Sequence, residues 1–197
     1  MKLNCNSFFD GDFEYLNLNE FYLKNQSSIT DTKNPSLIQS ALDSLGKYTY
    51  GGYGEDRKDI WKGTYMDKTG KYIHLGIDIN VKVGTPIRCP FGLHVINIFN
   101  DTDTKIGWGR RLILQRHPYG KGVPHLILAH LQPETMLMAD FIPAGSILGR
   151  VGTWPTNGNT FNHLHVQMVY DLNLDNFDGY GNAEDLKNNP NPFEVEF

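Results

Sequence analysis

The pentapeptide His-Leu-Gly-Ile-Asp, from His74 to Asp78, has the residue types and the spacing of half a metal site. Side chains along a β-strand alternate between its two faces, so residues four apart point the same way. His74 and Asp78 are therefore expected to share one face of a strand. Gly76 lies between them on that face, and we expect its missing side chain to leave an empty volume for a metal ion and a water molecule.

A second segment much later in the chain, His163-Leu164-His165, places two more imidazoles on one face of a strand. Two imidazoles and a carboxylate, with a fourth position left open, suit a catalytic zinc ion better than a structural one. Neither segment is specific alone, because a single histidine is usually a surface residue or a satisfied core residue. The combination predicts a mononuclear metal site built on β-strands.

The region that contains both segments has the pattern of a mainly β fold. Apolar, strand-like stretches alternate with Gly and Pro turns, and helical periodicity is almost absent. We expect an antiparallel sheet or a partly open barrel. The predicted strands cover residues 72–81, 87–99, 111–116, 125–131, 145–151 and 164–170, with a hairpin between the third and the fourth.

The chain divides into three predicted parts, at residues 1–60, 61–171 and 172–197. The first is an extension with one short helix, which Asn34 caps, Pro35 begins and Gly46 ends. The second is the β-rich domain. The third is a polar tail whose Asn-Pro-Asn-Pro sequence cannot extend a helix or a central strand, so we expect it to pack on the domain.

Composition excludes several classes of protein. A net charge of −4 and a pI near 5.9 argue against nucleic-acid binding, and the sequence has no apolar run long enough for a transmembrane segment. The first six residues lack the apolar core of a signal peptide, and Cys5 and Cys89 are expected to be free thiols. These features predict a cytoplasmic location, and they indicate no oligomeric state.

The order of five motifs resembles that of the lysostaphin-type, LytM-like zinc metallopeptidases, which are peptidoglycan endopeptidases. The motifs are His-Leu-Gly-Ile-Asp, the GTPI-x-x-P-x-G stretch at 84–92, Leu-Ala-His-Leu at 128–131, IPAGSILGRVG at 142–152, and His-Leu-His at 163–165. The resemblance implies that residues 61–171 form a LytM-like domain of the duplicated hybrid motif type, an antiparallel sheet core with a substrate groove.

The resemblance also implies a role for each motif residue. His74, Asp78 and His165 would hold one zinc ion per chain, and His130 and His163 would be the catalytic histidines. The implied reaction is hydrolysis of a peptide bond in muropeptides or Gly-rich peptides through a metal-activated water. The remaining histidines, His94, His117 and His125, and the nearby Tyr65 and Tyr72 are expected to be structural.

Some features depart from the common pattern and resemble a leaderless branch of that family. These are the missing signal peptide, the long loop at 152–162, the Gly-Glu-Asp-Arg stretch at 54–57 and the proline-rich tail. They make released muropeptides or another peptide plausible substrates. Two alternatives stay open: a non-catalytic peptidoglycan- or peptide-binding or activator module, and a metal hydrolase of an unrelated small substrate. Non-catalytic relatives usually lack a metal or catalytic residue, whereas all five are present here.

Overall fold

Strands make up most of the regular structure in the computed structural model, which describes residues 2–101, 107–118, 122–133, 140–174 and 177–196. In this part of the chain the strands are β1 (Phe13–Tyr15), β2 (Tyr48–Gly51), β3 (Ile73–His74), β4 (Ile77–Asn80), β5 (Pro86–Arg88), β6 (Leu93–Asn100), β7 (Arg110–Arg116), β8 (His125–Leu131), β9 (Phe141–Ile142), β10 (Ile147–Arg150), β11 (Leu164–Val169) and β12 (Tyr180–Gly181). The helices are α1 (Leu18–Lys24), α2 (Pro35–Asp43) and α3 (Lys58–Trp61), with 3-10 turns at Cys5–Ser7, Tyr65–Lys68 and Ala183–Lys187. The predicted mainly β fold is confirmed.

Eight strands form one sheet in the order β1-β2-β4-β11-β8-β7-β6-β9. Neighbours are antiparallel, except that β1 runs parallel to β2, so the sheet is mixed. Its edge strands β1 and β9 do not pair with each other among the described residues, so the sheet is open and forms no barrel. Two short pairs, β5–β10 and β3–β12, lie outside it.

The part of β11 that carries the site alternates between apolar and polar side chains. On β11, Leu164, Val166 and Met168 belong to the main hydrophobic core. The intervening His165 and Gln167 are also buried, but they lie on the opposite face. This period of two is the alternation on which the predicted site depends.

The strand predicted at 72–81 is divided. Residue 74 ends β3, which pairs with β12, whereas β4 begins at residue 77 and pairs with β2 and β11. The prediction of one uninterrupted strand was therefore wrong, and the two halves of the motif belong to different sheets. The predicted stretch at 87–99 likewise gives two strands, β5 and β6.

The predicted hairpin is confirmed, because β7 pairs with β8 in antiparallel register. Its tip at residues 119–121 lies outside the described residues. The predicted strands at 145–151 and 164–170 correspond to β10 and β11.

The N-terminal segment holds more structure than its pattern indicates. The predicted helix is present as α2, and the Asn34 side chain accepts the backbone N–H of Ser36. The helices α1 and α3 and the strands β1 and β2 were not predicted, because such short elements carry too few residues for a clear period. Since β2 pairs with β4, residues before position 60 contribute to the main sheet. The three-part division remains a prediction. A second hydrophobic cluster joins this segment to the loop before β11 through Leu18, Phe21, Ile29, Ile38, Ala41, Leu42, Ile60 and Phe161.

The C-terminal tail packs against the sheet. The ring of Phe193 lies 5.8 Å from that of Tyr50, and the Tyr53 hydroxyl donates to the carbonyl of Asn189 at 2.9 Å. Phe197 lies outside the described residues. Cys5 and Cys89 are both buried free thiols. Within the described ranges, no helix combines the length and the apolar character needed to cross a membrane.

Candidate metal centre and catalytic cavity

The three predicted ligands converge at the junction of β3, β4 and β11. One donor atom from each of His74, Asp78 and His165 lies within 4.8 Å of the other two. Asp78 Oδ1 is 3.1 Å from Nδ1 of His165 and 3.4 Å from Nε2 of His74. All three side chains are buried, and His165 faces Asp78 directly across the β11–β4 pair. The donors thus surround one small volume.

In His74 and in His165, the ring nitrogen that does not face Asp78 contacts an oxygen acceptor. Nδ1 of His74 is 3.1 Å from the Gly52 carbonyl, and Nε2 of His165 is 2.9 Å from Oε1 of Gln167. Because these oxygens can only accept, we assign the protons to those nitrogens, which leaves a lone pair on each nitrogen of the site. Burial lowers the pKa of His74 to about 3, and the neighbouring Arg57 adds to the effect. Imidazoles with this orientation, together with a carboxylate, fit a zinc ion.

Gly76 serves a different purpose from the one predicted. A Cβ at this position would lie 2.6 Å from Cε1 of His165 and 2.7 Å from the carbonyl oxygen of Val166. The space that glycine leaves is therefore filled by the imidazole of His165 and by the neighbouring backbone. The expectation that a metal ion and a water molecule lie there was wrong, because the strand opposite approaches too closely.

The two predicted catalytic histidines lie next to the ligands. His163 places Nε2 3.4 Å from Oδ1 of Asp78, while its Nδ1 donates to the Phe161 carbonyl at 3.0 Å. His130 donates from Nδ1 to the Asn157 carbonyl at 2.7 Å, and its ring centre is 4.4 Å from that of His163. Burial lowers the pKa of both histidines. Each therefore presents a neutral imidazole with an unprotonated Nε2.

A bulge in β8 decides where His130 points. Leu112 pairs with Leu128, whereas Arg110, two residues earlier, pairs with Leu131, so β8 contains one extra residue. His130 lies in this bulge with φ of 65°, which is an uncommon value for a residue with a side chain. The regular alternation of the strand is broken at this residue, and sequence spacing alone could not have given its direction.

Arg57 is a residue of the site that was not predicted from the sequence. Its guanidinium is 2% exposed and donates from Nη1 to Asp78 Oδ2 at 2.7 Å and to the Tyr180 hydroxyl at 3.0 Å. Its Nε donates to Oε2 of Glu55 at 3.0 Å. Burial opposes ionisation of Asp78, but the adjacent imidazoles and this guanidinium together hold the pKa of the carboxyl well below its usual range.

The signal for Arg57 was the Gly-Glu-Asp-Arg stretch, which we interpreted only as a mark of a family branch. A backbone feature supports its importance. Gly52 has φ of 104°, and a Cβ there would lie 2.3 Å from Nη2 of Arg57 and 2.7 Å from Nδ1 of His74. Only glycine leaves room for both side chains.

A cavity of about 510 Å³ opens beside the donor atoms. Its walls include the aromatic residues Trp61, Trp108, Phe161 and Tyr180 and the imidazoles of His74, His130, His163 and His165. Thr32 and Lys33 of the N-terminal segment also line it, as do Gly63 and Thr64, which follow α3. A volume of this size is in the range of small-molecule sites.

The remaining candidates lie apart from the donors. His94 and His117 contact each other, with Nε2 and Nδ1 separated by 2.9 Å, and both rings pack on Phe141. The Tyr72 hydroxyl donates to Oδ1 of Asp67 at 2.9 Å. The side chain of Tyr65 lies outside the described structure.

The model of peptidase family M23 matches residues 72–178, which is more than half of the chain. The chain belongs to peptidase family M23. The match includes all five motif residues of this M23 member, whereas Arg57 and the tail beyond residue 178 lie outside it. No curated protein matches the chain.

Three solved structures illustrate the similarity of this M23 chain to known proteins. LytU is 29% identical, with a TM-score of 0.40 over 51% of this chain and 64% of that one. A peptidase M23 from Pseudomonas aeruginosa is 26% identical, with a TM-score of 0.38 over 48% of this chain and 37% of that one. The catalytic domain of the antimicrobial peptidase lysostaphin from Staphylococcus simulans is 23% identical, with a TM-score of 0.48 over 70% of this chain and 88% of that one. The chain thus spans less than two thirds of the length of the first two proteins.

Proposed function

We propose that this M23 member is a zinc-dependent metallopeptidase that hydrolyses a peptide bond in muropeptides or Gly-rich peptides. The observation that carries the proposal is the convergence of three donor side chains with two further neutral imidazoles beside one cavity. His74, Asp78 and His165 would hold one zinc ion per chain. When bound, zinc supplies a Lewis acid that activates water and polarises the scissile carbonyl.

The two remaining imidazoles have complementary tasks in this proposal. Because His163 is neutral and its Nε2 lies beside the donor group, it is placed to take a proton from the attacking water. The ring centre of His130 lies 4.4 Å from that of His163 and 6.0 Å from that of His165, and its Nε2 is placed to hydrogen-bond a developing oxyanion or to protonate the leaving amine. The backbone carbonyls on the two Nδ1 atoms fix both orientations.

The cavity walls support a short peptide segment as the substrate. Thr32 and Lys33 of the N-terminal segment line the cavity, and aromatic rings flank it. Together with the motif resemblance, this favours unlinked peptides of the peptidoglycan type.

A non-catalytic binding or activator module on the same fold is the main alternative. Such a module has no need of a complete set of donors and bases, whereas all five residues are present here; the four histidines line one cavity, and Asp78 lies beside them. This favours the enzyme. A metal hydrolase of an unrelated small substrate would use the same residues, and a substrate screen separates it from the peptidase.

The test is product analysis by mass spectrometry. The purified chain is incubated with muropeptides and Gly-rich peptides, alone, with a zinc chelator, and with zinc restored. We expect cleavage of one kind of bond that the chelator abolishes and zinc restores. A His94→Ala variant is the matched control, because His94 contacts His117 and lies apart from the donors. If protein carrying one zinc per chain cleaves no peptide of the panel, the peptidase proposal is wrong.

A further inference from the structure

We propose that Arg57 is a positioning residue, which orients Asp78 for metal binding. Through Arg57, the N-terminal segment contributes to the metal centre. This inference rests on the proposed function, since it concerns the same zinc site. It goes beyond the motif residues, because Arg57 precedes the segment that matches the family.

The first support is that the two oxygens of the Asp78 carboxylate have different partners. Oδ2 accepts Nη1 of Arg57 at 2.7 Å, whereas Oδ1 lies 3.1–3.4 Å from nitrogens of the three neighbouring imidazoles. With Oδ2 occupied, Asp78 presents one oxygen to the proposed zinc position. Without the guanidinium, the carboxylate would be free to rotate about χ2 and to present either oxygen.

The second support is that Arg57 is itself held from behind. Oε2 of Glu55 accepts its Nε at 3.0 Å, and both side chains are about 2% exposed. Oε1 of Glu55 accepts the backbone N–H of Asn19 in α1. Asn19 in turn accepts the backbone N–H of Ile60 through Oδ1 at 3.2 Å. A continuous series of contacts therefore joins α1 to the proposed ligand Asp78.

The third support is the unfavourable environment in which the guanidinium is kept. A buried ion pair adds little stability compared with apolar side chains of the same size, because both charges lose their hydration. Apolar side chains would be the more favourable choice only if Asp78 and Glu55 were replaced as well, so the guanidinium is tied to these two carboxylates. The side chain aligns a donor with the one oxygen that the imidazoles do not face.

The test compares zinc affinities of Arg57→Leu, Arg57→Lys and the wild type by competition with a chromophoric chelator. Outer partners of metal ligands typically contribute about 10- to 100-fold in affinity, so we expect Arg57→Leu to weaken zinc binding by that factor. Lysine keeps a cation but only one donor group, so Arg57→Lys should recover part of the loss. The control is Arg110→Leu, since buried Arg110 donates to Asn100 and to the Pro133 carbonyl instead.

The possible outcomes separate this inference from the proposed function. If metal-free Arg57→Leu is folded by circular dichroism and binds zinc as tightly as the wild type, Arg57 is not a positioning residue, while the zinc peptidase stands. If the wild type itself binds no zinc, the proposed function is wrong. Where Arg57→Leu does not fold, Arg57→Lys and Glu55→Gln replace it. Both should bind zinc more weakly by about 3-fold or more, and unchanged affinity in both overturns the inference.

Discussion

Gln167 lies two residues after His165 on β11, and its Oε1 is 2.9 Å from Nε2 of His165. The amide of Gln167 in turn donates to Oδ1 of Asn189 at 2.7 Å and to the carbonyl of Asp178 at 3.1 Å. All of the Gln167 side chain is buried. The C-terminal tail, for which the sequence offered only a packing role, thereby fixes which nitrogen of a proposed ligand faces the metal site.

Gln167→Leu is expected to weaken zinc binding by about 10- to 100-fold, because His165 loses the acceptor that fixes its orientation. Competition with a chromophoric chelator measures the change. Met168→Leu is the control, since the neighbouring side chain lies in the core on the opposite face and the substitution conserves volume. Equal zinc affinity in Gln167→Leu and in the control would contradict the role of this contact.

The proposed division between ligands and catalytic groups predicts two different losses. His165→Ala should release the metal, because two protein ligands rarely hold zinc tightly. His130→Ala should keep one zinc per chain and lose activity by about 100-fold or more, as removal of a general acid or base usually does. Metal content and peptide cleavage are measured on the same preparations. Zinc loss in His130→Ala, or wild-type activity in His163→Ala, would show that the roles are assigned incorrectly.

Gly76→Ala should weaken zinc binding by displacing the imidazole of His165. The added Cβ would lie 2.6 Å from Cε1 of that ring and equally close to the backbone opposite, so the strands must shift. Gly179→Ala is the milder comparison, because its Cβ would lie 3.5 Å from the same atom and 3.3 Å from Cη2 of Trp108. Metal affinity and thermal midpoint are measured for both. A larger effect of the second substitution would contradict the geometry.

Both thiols should be unreactive in the native protein. Burial raises the pKa of Cys5 to about 12 and that of Cys89 to about 11, so at pH 8 almost none of either thiol is ionised. Because the thiolate is the nucleophile, alkylation should be slow in the folded chain and should reach two groups per chain in denaturant. Mass spectrometry of the intact chain over time measures the number of alkyl groups added. Rapid labelling without denaturant would show that one of the thiols is accessible.

The local part of the site could be predicted from the sequence. Alternation with a period of two follows from strand geometry alone, so His165 and Leu164 had to lie on opposite faces of β11. The same rule predicted that His74 and Asp78 would converge, although the chain reaches that result through two strands in different sheets. Residue types then indicated the chemistry, because imidazoles and a carboxylate are zinc donors.

Contacts between distant parts of the chain were decided by the tertiary structure. Arg57 reaches Asp78 and Asn189 reaches Gln167 only because the chain ends pack around the central strands, and no spacing rule links those positions. The direction of His130 depends on a bulge, which is set by the pairing of β7 with β8. The sequence by itself therefore determined which residues have the chemistry of a metal site. The packing of both termini determined which tautomers, orientations and cavity walls that site has, because these depend on partners that local geometry does not specify.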